Sequence, residues 1–492
     1  MQNDLKKKIG TATKWSTISE LLAKLIAPVS SMILARLLTP EAFGVVATVN
    51  VIISFADMFT DAGFQKYLIQ HDFSDEKDKY QSTTVAFWTN LGISLFLWIL
   101  IFSFRDYLAV LVGSPGKGNV LAIASAVLPV TSFSSIQTAL YKREFNFKTL
   151  FFVRMVGVSV PIFVTVPLAY FLRSYWALII GTLVLNIVNA VILTSRSKWK
   201  PNLFFDIRKL REMLSFSMWT LLEQISIWLT SYMGTFLVGV YLSTYYVGLY
   251  KTSISTVNQF ITLITSAVTP VLFSALSRLQ DDKIEFKKMF YHFQKMVSII
   301  VIPMGIGIFL YRDLITSILL GSQWKEATIF IGMWGFVSAL SVIFNNFNSE
   351  VYRALGKPKV SFLVQMIYLT CLIPTLIFAA KQGFKMLCLS QCMISFLMYL
   401  IQFTAVYIVA KISFIKVIKN IYPVLIACIA MIATSVSLRF ICGNGVIYEI
   451  ISIIICIIVY FGVLSLFPDM KIIIKENAER YVQILYLKFT KK

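Results

Sequence analysis

Apolar residues come in blocks of about twenty, set apart by short polar breaks, from residue 15 to residue 467. A helix needs about that length to cross the hydrocarbon core of a bilayer. Dividing the blocks at their breaks predicts fourteen helices, near 15–36, 43–69, 82–104, 119–141, 149–172, 174–195, 215–239, 246–273, 293–311, 326–349, 359–380, 385–410, 421–440 and 446–467. The break "ARLLTPEAFG" (35–44) shows the logic. Pro40 cannot continue the first helix, whereas Thr39 is placed to cap the second, with Pro40 and Glu41 in its opening turn. After residue 105, "RDYLAVLV" reads as an interfacial segment and "GSPGKGN" (113–119) as a turn.

Composition agrees with this pattern. Of 492 residues, 58% are hydrophobic and 14% charged, against about 25% charged in soluble proteins. Mean hydropathy is +0.76. No polar stretch is long enough for a soluble catalytic domain. The expectation is an all-α polytopic membrane protein. Its start, "MQNDLKKKIGTATKW", is basic, but the helix that follows carries Glu20 and Lys24 and lacks a small-residue cleavage site, so no cleavable signal peptide is expected.

Charge fixes an orientation. With the N-terminus inside, the inner segments hold 32 of the 45 lysines and arginines, the outer segments hold nine, and Lys24, Lys66, Arg154 and Lys251 fall within spans. One miscounted helix would flip every later loop, so this bias supports both the count and cytoplasmic N- and C-termini. The net charge of +21 is therefore topological. Basic residues scattered over short loops and termini exclude nucleic-acid binding.

The pattern repeats. Residues 11–45 align without gaps to 215–249 at a spacing of 204, matching Trp15 to Trp219, Leu25 to Leu229, Leu38 to Leu242 and Gly44 to Gly248. The skeleton of "ARLLTPEAFG" thus returns in "VYLSTYYVG" (240–248), and "SDEKDKY" (74–80) resembles "QDDKIEF" (280–286). This predicts two six-helix lobes, 1–195 and 213–410, related by a pseudo-twofold axis along the membrane normal. A cytoplasmic amphipathic linker (196–212) would join them, followed by two C-terminal helices (411–467) and a basic tail (468–492). In transporters built from parallel repeats, substrate binds between the halves near the midplane.

Ionisable residues inside spans are costly unless they face a cavity or a partner. Glu20 and Lys24 are spaced i,i+4 and can pair. Asp57 and Asp61 share the same spacing, with Lys66 one turn on, and make a candidate proton or sodium coupling site. Arg154 lies in the fifth helix, Glu223 in the seventh and Lys251 in the eighth. Lys24, Arg154 and Lys251 are candidates for a cationic cavity holding a phosphate or diphosphate. Glu20, Asp57, Asp61 and Glu223 are coupling or ion-pair candidates. For Lys66 and Arg154, near span ends, snorkelling to the interface is the competing reading. The amides Asn258, Gln259, Asn345, Asn346 and Asn348 suit sugar hydroxyls or interhelical hydrogen bonds equally.

Little else carries chemistry. Cys388 and Cys392 are one turn apart with no His nearby, so a metal site is not expected, and the six cysteines read as inert apolar residues. No phosphate-binding loop, Ser-His-Asp arrangement or zinc spacing appears. Neither enzymatic activity nor a cofactor is expected.

"ARLLTPEAFGVVATVNVIISFADMFTDAGFQKYLIQ" (35–70) closely resembles the start of Wzx-type polysaccharide flippases of the multidrug/oligosaccharidyl-lipid/polysaccharide (MOP) superfamily, most of all the branch of colanic-acid and teichuronic-acid exporters. "VTPVLFSALSRLQDD" (268–282), "GSQWKEA" (321–327) and "RALGKPK" (353–359) are similar to later family segments in the right order. The resemblance implies export of undecaprenyl-diphosphate-linked oligosaccharide across the bacterial inner membrane by alternating access. It also implies a cationic central cavity walled by the first, second, seventh and eighth spans, carried over to Lys24 and Lys251 with Arg154, and pathway polymerases and glycosyltransferases as partners. Where relatives carry arginine this sequence carries lysine, a less directional phosphate ligand. The competing functions are a small-molecule cation antiporter of the same superfamily, which favours a net acidic cavity, and a membrane-embedded polysaccharide polymerase, which needs a sizeable outer loop or catalytic histidines in its spans.

Overall fold

The computed structural model describes residues 2–61, 63–442 and 445–471, with the side chains of 2–14, 16, 17, 21, 61, 215–220, 222, 223, 358 and 442 outside that description. Two candidates, Asp61 and Glu223, have side chains outside it. The described residues contain no strand. The helices run in the order α1 (Gln2–Leu37), α2 (Pro40–Asp61), α3 (Phe64–Gln70), α4 (Glu76–Ser103), α5 (Arg105–Leu111), α6 (Gly118–Ala124), α7 (Val127–Arg143), α8 (Phe147–Val160), α9 (Val166–Leu172) and α10 (Trp176–Arg196). Then come α11 (Ile207–Tyr241), α12 (Thr244–Arg278), α13 (Lys283–Leu310), α14 (Arg312–Leu319), α15 (Thr328–Ser341), α16 (Phe347–Ala354), α17 (Pro358–Ala380), α18 (Phe384–Ala410), α19 (Phe414–Cys442) and α20 (Val446–Leu464).

Among the described residues, thirteen stretches are long and apolar enough to cross a membrane, and they overlap every predicted span except 215–239. That span falls on α11, several of whose side chains lie outside the description. Four crossings are composite. Gly63 takes a left-handed φ of 82° between α2 and α3, so Lys66 does not continue the helix that carries Asp57 and Asp61, as the spacing had implied. Ser125 and Ala126 separate α6 from α7. Pro161, which lacks an N–H and crowds the preceding turn, opens a π-turn (Pro161–Thr165) between α8 and α9. A second π-turn, Val342–Asn346, joins α15 to α16.

The chain divides into two compact units. One comprises Met1–Thr252 with Leu319–Trp324 and Leu369–Cys388; the other comprises Ser253–Ile318, Lys325–Tyr368 and Leu389–Lys492. In the first, α7 packs on α4 and α10, α1 on α8, and α2 on α11. One apolar cluster draws Phe64 and Leu68 from α3, Phe87 from α4 and Ile136 from α7. Trp199 and Met213 close that cluster, so the segment 197–206 is docked on its own unit. Arg143 donates to the carbonyls of Leu68, Ile69 and His71, which satisfies the exposed end of α3.

The first hairpin forms as its residues dictate. Pro40 opens α2, and the Thr39 hydroxyl accepts from the Ala42 N–H at 3.4 Å. The last carbonyls of α1 are met from far along the chain: Gln323 Nε2 donates to Ala35 O and Leu38 O at 2.6 and 2.8 Å, and Trp324 Nε1 donates to Ala35 O at 2.8 Å. Trp324 is fully buried against Phe43.

In the second unit α13 packs on α15 and α19, and α19 packs on α20. Small residues let the backbones approach: Gly305 faces Ala339, and Gly335 faces Ile308. Tyrosines bridge helices, Tyr460 donating to Ile299 O and Tyr399 to Val337 O at 2.8 and 2.6 Å. Gln402 donates to Asn345 Oδ1 at 2.8 Å, so Asn345 serves an interhelical hydrogen bond.

Candidate functional site

Helices α1 and α8 pack side by side, which brings together residues that lie 134 positions apart. Glu20 Oε1 lies 3.2 Å from Arg154 Nη2, and Glu20 Oε2 lies 3.8 Å from Lys24 Nζ one turn further along α1. One carboxylate therefore holds two cations. Glu20 and Arg154 are each about half exposed, so solvent screens the pair and its contribution to stability is small. Its significance is positional.

The pair sits on a cavity of about 600 Å³ within the first unit, a volume in the range of small-molecule sites. Its walls come from α1, α7, α8 and α10, with Pro161 at the π-turn. The charged lining residues are Glu20, Lys142 and Arg154, two cations against one carboxylate. The rest of the wall is rich in acceptors. Ser30, Ser134 and Thr138 line it while donating their hydroxyl protons to carbonyls of their own helices, which leaves their oxygen lone pairs for a ligand. Asn189 Oδ1 is buried with no hydrogen-bond partner in the protein. Phe147, Leu150 and Phe151 supply an apolar side. A cationic rim over an acceptor wall is complementary to an anion that carries hydroxyl groups.

The remaining candidates lie elsewhere in the same unit. Lys251 is not part of the cavity lining; its ammonium stands 4.7 Å over the Tyr232 ring. Tyr232 stacks on Trp228, whose indole donates to Ser54 Oγ at 2.9 Å and whose ring meets Phe55. Aromatic faces thus stabilise this lysine's charge. Asp57 is exposed on α2 and accepts from the Thr60 hydroxyl at 3.2 Å. The structure joins Glu20, Lys24 and Arg154, and leaves Lys251 and Asp57 outside the group.

The residue spacing did not reveal Lys142, Asn189 or the hydroxyl wall. A signal existed in "TSFSSIQT" (131–138), a small polar run inside an apolar span that sets Ser134 and Thr138 four residues apart on one face. The pairing of Arg154 with Glu20 left no local trace.

The profile of a family described as polysaccharide biosynthesis protein matches residues 33–329, more than half of the chain. The chain belongs to that family. Among curated relatives of this polysaccharide biosynthesis protein, the succinoglycan biosynthesis transport protein ExoT of Rhizobium meliloti (strain 1021) is 25% identical over 65% of the chain and 64% of its own length. The match therefore spans less than two thirds of that relative. The lipopolysaccharide biosynthesis protein WzxC of Escherichia coli (strain K12) is 21% identical over 77% of the chain and 76% of its own length. The teichuronic acid biosynthesis protein TuaB of Bacillus subtilis (strain 168) is 25% identical over 72% and 73%. These relatives bear out the resemblance to Wzx-type transporters. Among solved structures, the lipid II flippase MurJ in an inward closed conformation superposes with a TM-score of 0.73 at 17% identity, covering 93% of this chain and 99% of that one. An inward-facing multidrug resistance MATE transporter of the MOP superfamily gives a TM-score of 0.64 at 11% identity, over 81% of this chain and 98% of that one. At these identities the likeness concerns the fold. The protein is a multi-pass membrane member of the polysaccharide biosynthesis family, with a helical fold like that of these two structures.

Proposed function

We propose that the protein is a flippase that moves undecaprenyl-diphosphate-linked oligosaccharide units from the inner to the outer leaflet of the bacterial cytoplasmic membrane, for assembly of a surface polysaccharide. One observation carries this reading: the cavity walled by α1, α7, α8 and α10 has a cationic excess at its rim and hydrogen-bond acceptors within. A diphosphate offers the charge to meet Arg154, Lys24 and Lys142, and sugar hydroxyls offer donors to Asn189, Ser134 and Thr138. A cation antiporter would instead need an excess of carboxylates. The repeated halves, 1–195 and 213–410, would expose the site to one side of the membrane and then to the other. The N- and C-termini would lie in the cytoplasm, where pathway glycosyltransferases act, with a polymerase on the outer side.

Glu20 holds Lys24 and Arg154 before substrate arrives. A bound diphosphate takes both cations, and the released carboxylate is then available to a proton or sodium ion, which makes Glu20 the coupling residue. Lys251 on its aromatic seat is a second cationic station for the headgroup.

Deleting the gene should leave lipid-linked units on the inner leaflet and remove the surface polysaccharide; a normal surface in the deletion strain would sink the proposal. In complementation, Arg154→Ala should lower export by about tenfold or more while the protein still inserts, because a hydrogen bond to a charged group contributes about 1.5–3 kcal/mol. Glu20→Gln should leave substrate binding intact and remove the dependence of export on the ion gradient. Wild-type export from both variants would show that the cavity is not the site.

A further inference from the structure

The segment between α10 and α11 has two apolar faces, and the protein uses only one. Trp199 is buried, and Phe204 and Leu210 pack beside it on the cluster of α3, α4 and α7. Leu203, Phe205 and Ile207 point the other way and are 96%, 56% and 74% exposed. Leu203, Phe204 and Phe205 lie outside the helices, and Ile207 opens α11. Exposed apolar residues are ordinary on a membrane-spanning helix. This segment, "RSKWKPNLFFDIRKLRE" (196–212), precedes and opens α11, and it carries six basic residues against two acidic ones.

Two tethers set its depth. Tyr80 Oη donates to Lys200 O at 2.5 Å, and Trp88 Nε1 donates to Asn202 O at 2.7 Å. Tyr80 and Trp88 lie eight residues apart on α4, about 12 Å along its axis, so the segment runs down the side of a membrane-crossing helix. From Trp88 to Ser103 at the far end of α4 is about 22 Å at 1.5 Å per residue, which leaves Trp88 within about 8 Å of the near edge of a ~30 Å hydrocarbon core. With Ser103 placed at the far edge, Tyr80 falls just outside the near edge and Trp88 just inside it, so the segment that they tether spans the boundary between headgroups and acyl chains. Around the apolar trio, Lys198, Lys200, Arg208 and Arg211 are exposed. Lys209 is committed to Asp78, and Asp206 accepts from the Arg208 N–H at the start of α11.

We infer that residues 198–211 form a docking surface for an anionic lipid leaflet, with Leu203, Phe205 and Ile207 set among the acyl chains and Lys198, Lys200, Arg208 and Arg211 among negatively charged headgroups. Charge and apolar pattern together select this occupant. A protein partner would have to cover an apolar strip already at membrane depth, and a neutral lipid would leave the basic rim unmatched. The strap thereby fixes the base of α4 and the start of α11 to the inner face of the bilayer, independently of what the protein transports.

The test uses the full-length protein with its cysteines removed and a single nitroxide label introduced by L203C, F205C or I207C. It is reconstituted either in phosphatidylcholine vesicles or in phosphatidylcholine vesicles containing phosphatidylglycerol. In the anionic vesicles all three labels should be relaxed by dissolved oxygen more than by a water-soluble nickel chelate, and a label introduced by K198C should show the reverse. Removing basic residues by Arg208→Gln and Arg211→Gln should reduce the immersed population about fivefold for each charge lost. Trp88→Phe, which keeps the ring and deletes the donor, should move the 203 label toward water. Three labels accessible to the nickel chelate in anionic vesicles would overturn the inference. So would labels shielded from both reagents, the mark of a protein cover, or equal immersion in neutral and anionic vesicles.

Discussion

The hairpin between α1 and α2 and the hairpin between α11 and α12 share one skeleton, yet they are held by different chemistry. Pro40 and Gly44 of the first correspond to Thr244 and Gly248 of the second at the repeat spacing of 204. The two hairpins also touch each other reciprocally. A side-chain carbon on Gly44 would strike the Thr244 carbonyl, and one on Gly248 would strike the Pro40 carbonyl. The partners then diverge. The first hairpin has its terminal carbonyls bonded by Gln323 and Trp324. The second is covered by rings, with Tyr246 stacked on Phe384 at 4.9 Å and Lys381 standing 6.0 Å from the Tyr241 ring centre. Backbone crossing is common to both copies of the repeat, and the side-chain fastening is particular to each.

The largest effect should come from breaking what the copies share. Neither glycine has room for a methyl group against the facing carbonyl, so Gly44→Ala and Gly248→Ala must each push the hairpins apart. Overpacking of this kind costs about 1–3 kcal/mol, and valine at either position should prevent assembly of a monodisperse protein. Because the contact is reciprocal, the two alanine variants should lower the unfolding temperature by similar amounts. A large inequality would show that the reciprocity is geometric only.

The next effect separates the copies. Trp324 is fully buried and donates a hydrogen bond, whereas Phe384 is buried without one. Trp324→Ala should cost about 3–5 kcal/mol, the upper range for an aromatic core deletion, and Phe384→Ala should cost less. Thermal unfolding of the purified variants in one detergent checks the order. A reversed order would mean that ring stacking, not carbonyl bonding, is the stronger fastening.

How far the sequence reveals these features follows the range of the interactions. The hairpin turn was legible because Thr39, Pro40 and Glu41 act within one turn of helix. Thirteen of the fourteen expected spans were legible because length and apolarity are local properties, and the Glu20–Lys24 pair because i,i+4 spacing is local too. Arg154 reaches Glu20 only through the packing of α8 on α1, and no periodicity encodes that. Trp324 reaches Ala35 across 289 residues, so "GSQWKEA" read as a family segment without a role. The burial of Trp199 has no mark in the sequence, because it depends on what α3, α4 and α7 leave uncovered. The break at Gly63 was missed for a different reason. An apolar run conceals a left-handed glycine, and only the backbone shows that Lys66 leaves the helix of Asp57.

The smallest effects test the polar fastenings alone. Gln323→Leu keeps the side chain's bulk and removes the donors to Ala35 O and Leu38 O. Ala35 O retains the Trp324 indole, so the loss falls mainly on the Leu38 carbonyl and should come to about 1–2 kcal/mol. Lys381→Met removes the charge over Tyr241 at the second hairpin and keeps an unbranched side chain there. Lys381 is exposed and its ammonium is distant from the ring, so this change should fall at or below the resolution of a thermal shift and disappear in high salt. Measuring both single variants and the double variant at low and high salt decides the matter. If the first hairpin is fastened by hydrogen bonds to its open carbonyls, the Gln323 cost persists at high salt and adds to the Lys381 cost without coupling. A Gln323 cost that vanished with salt would place the fastening elsewhere, in the burial of Trp324 against Phe43, and would make the two hairpins alike after all.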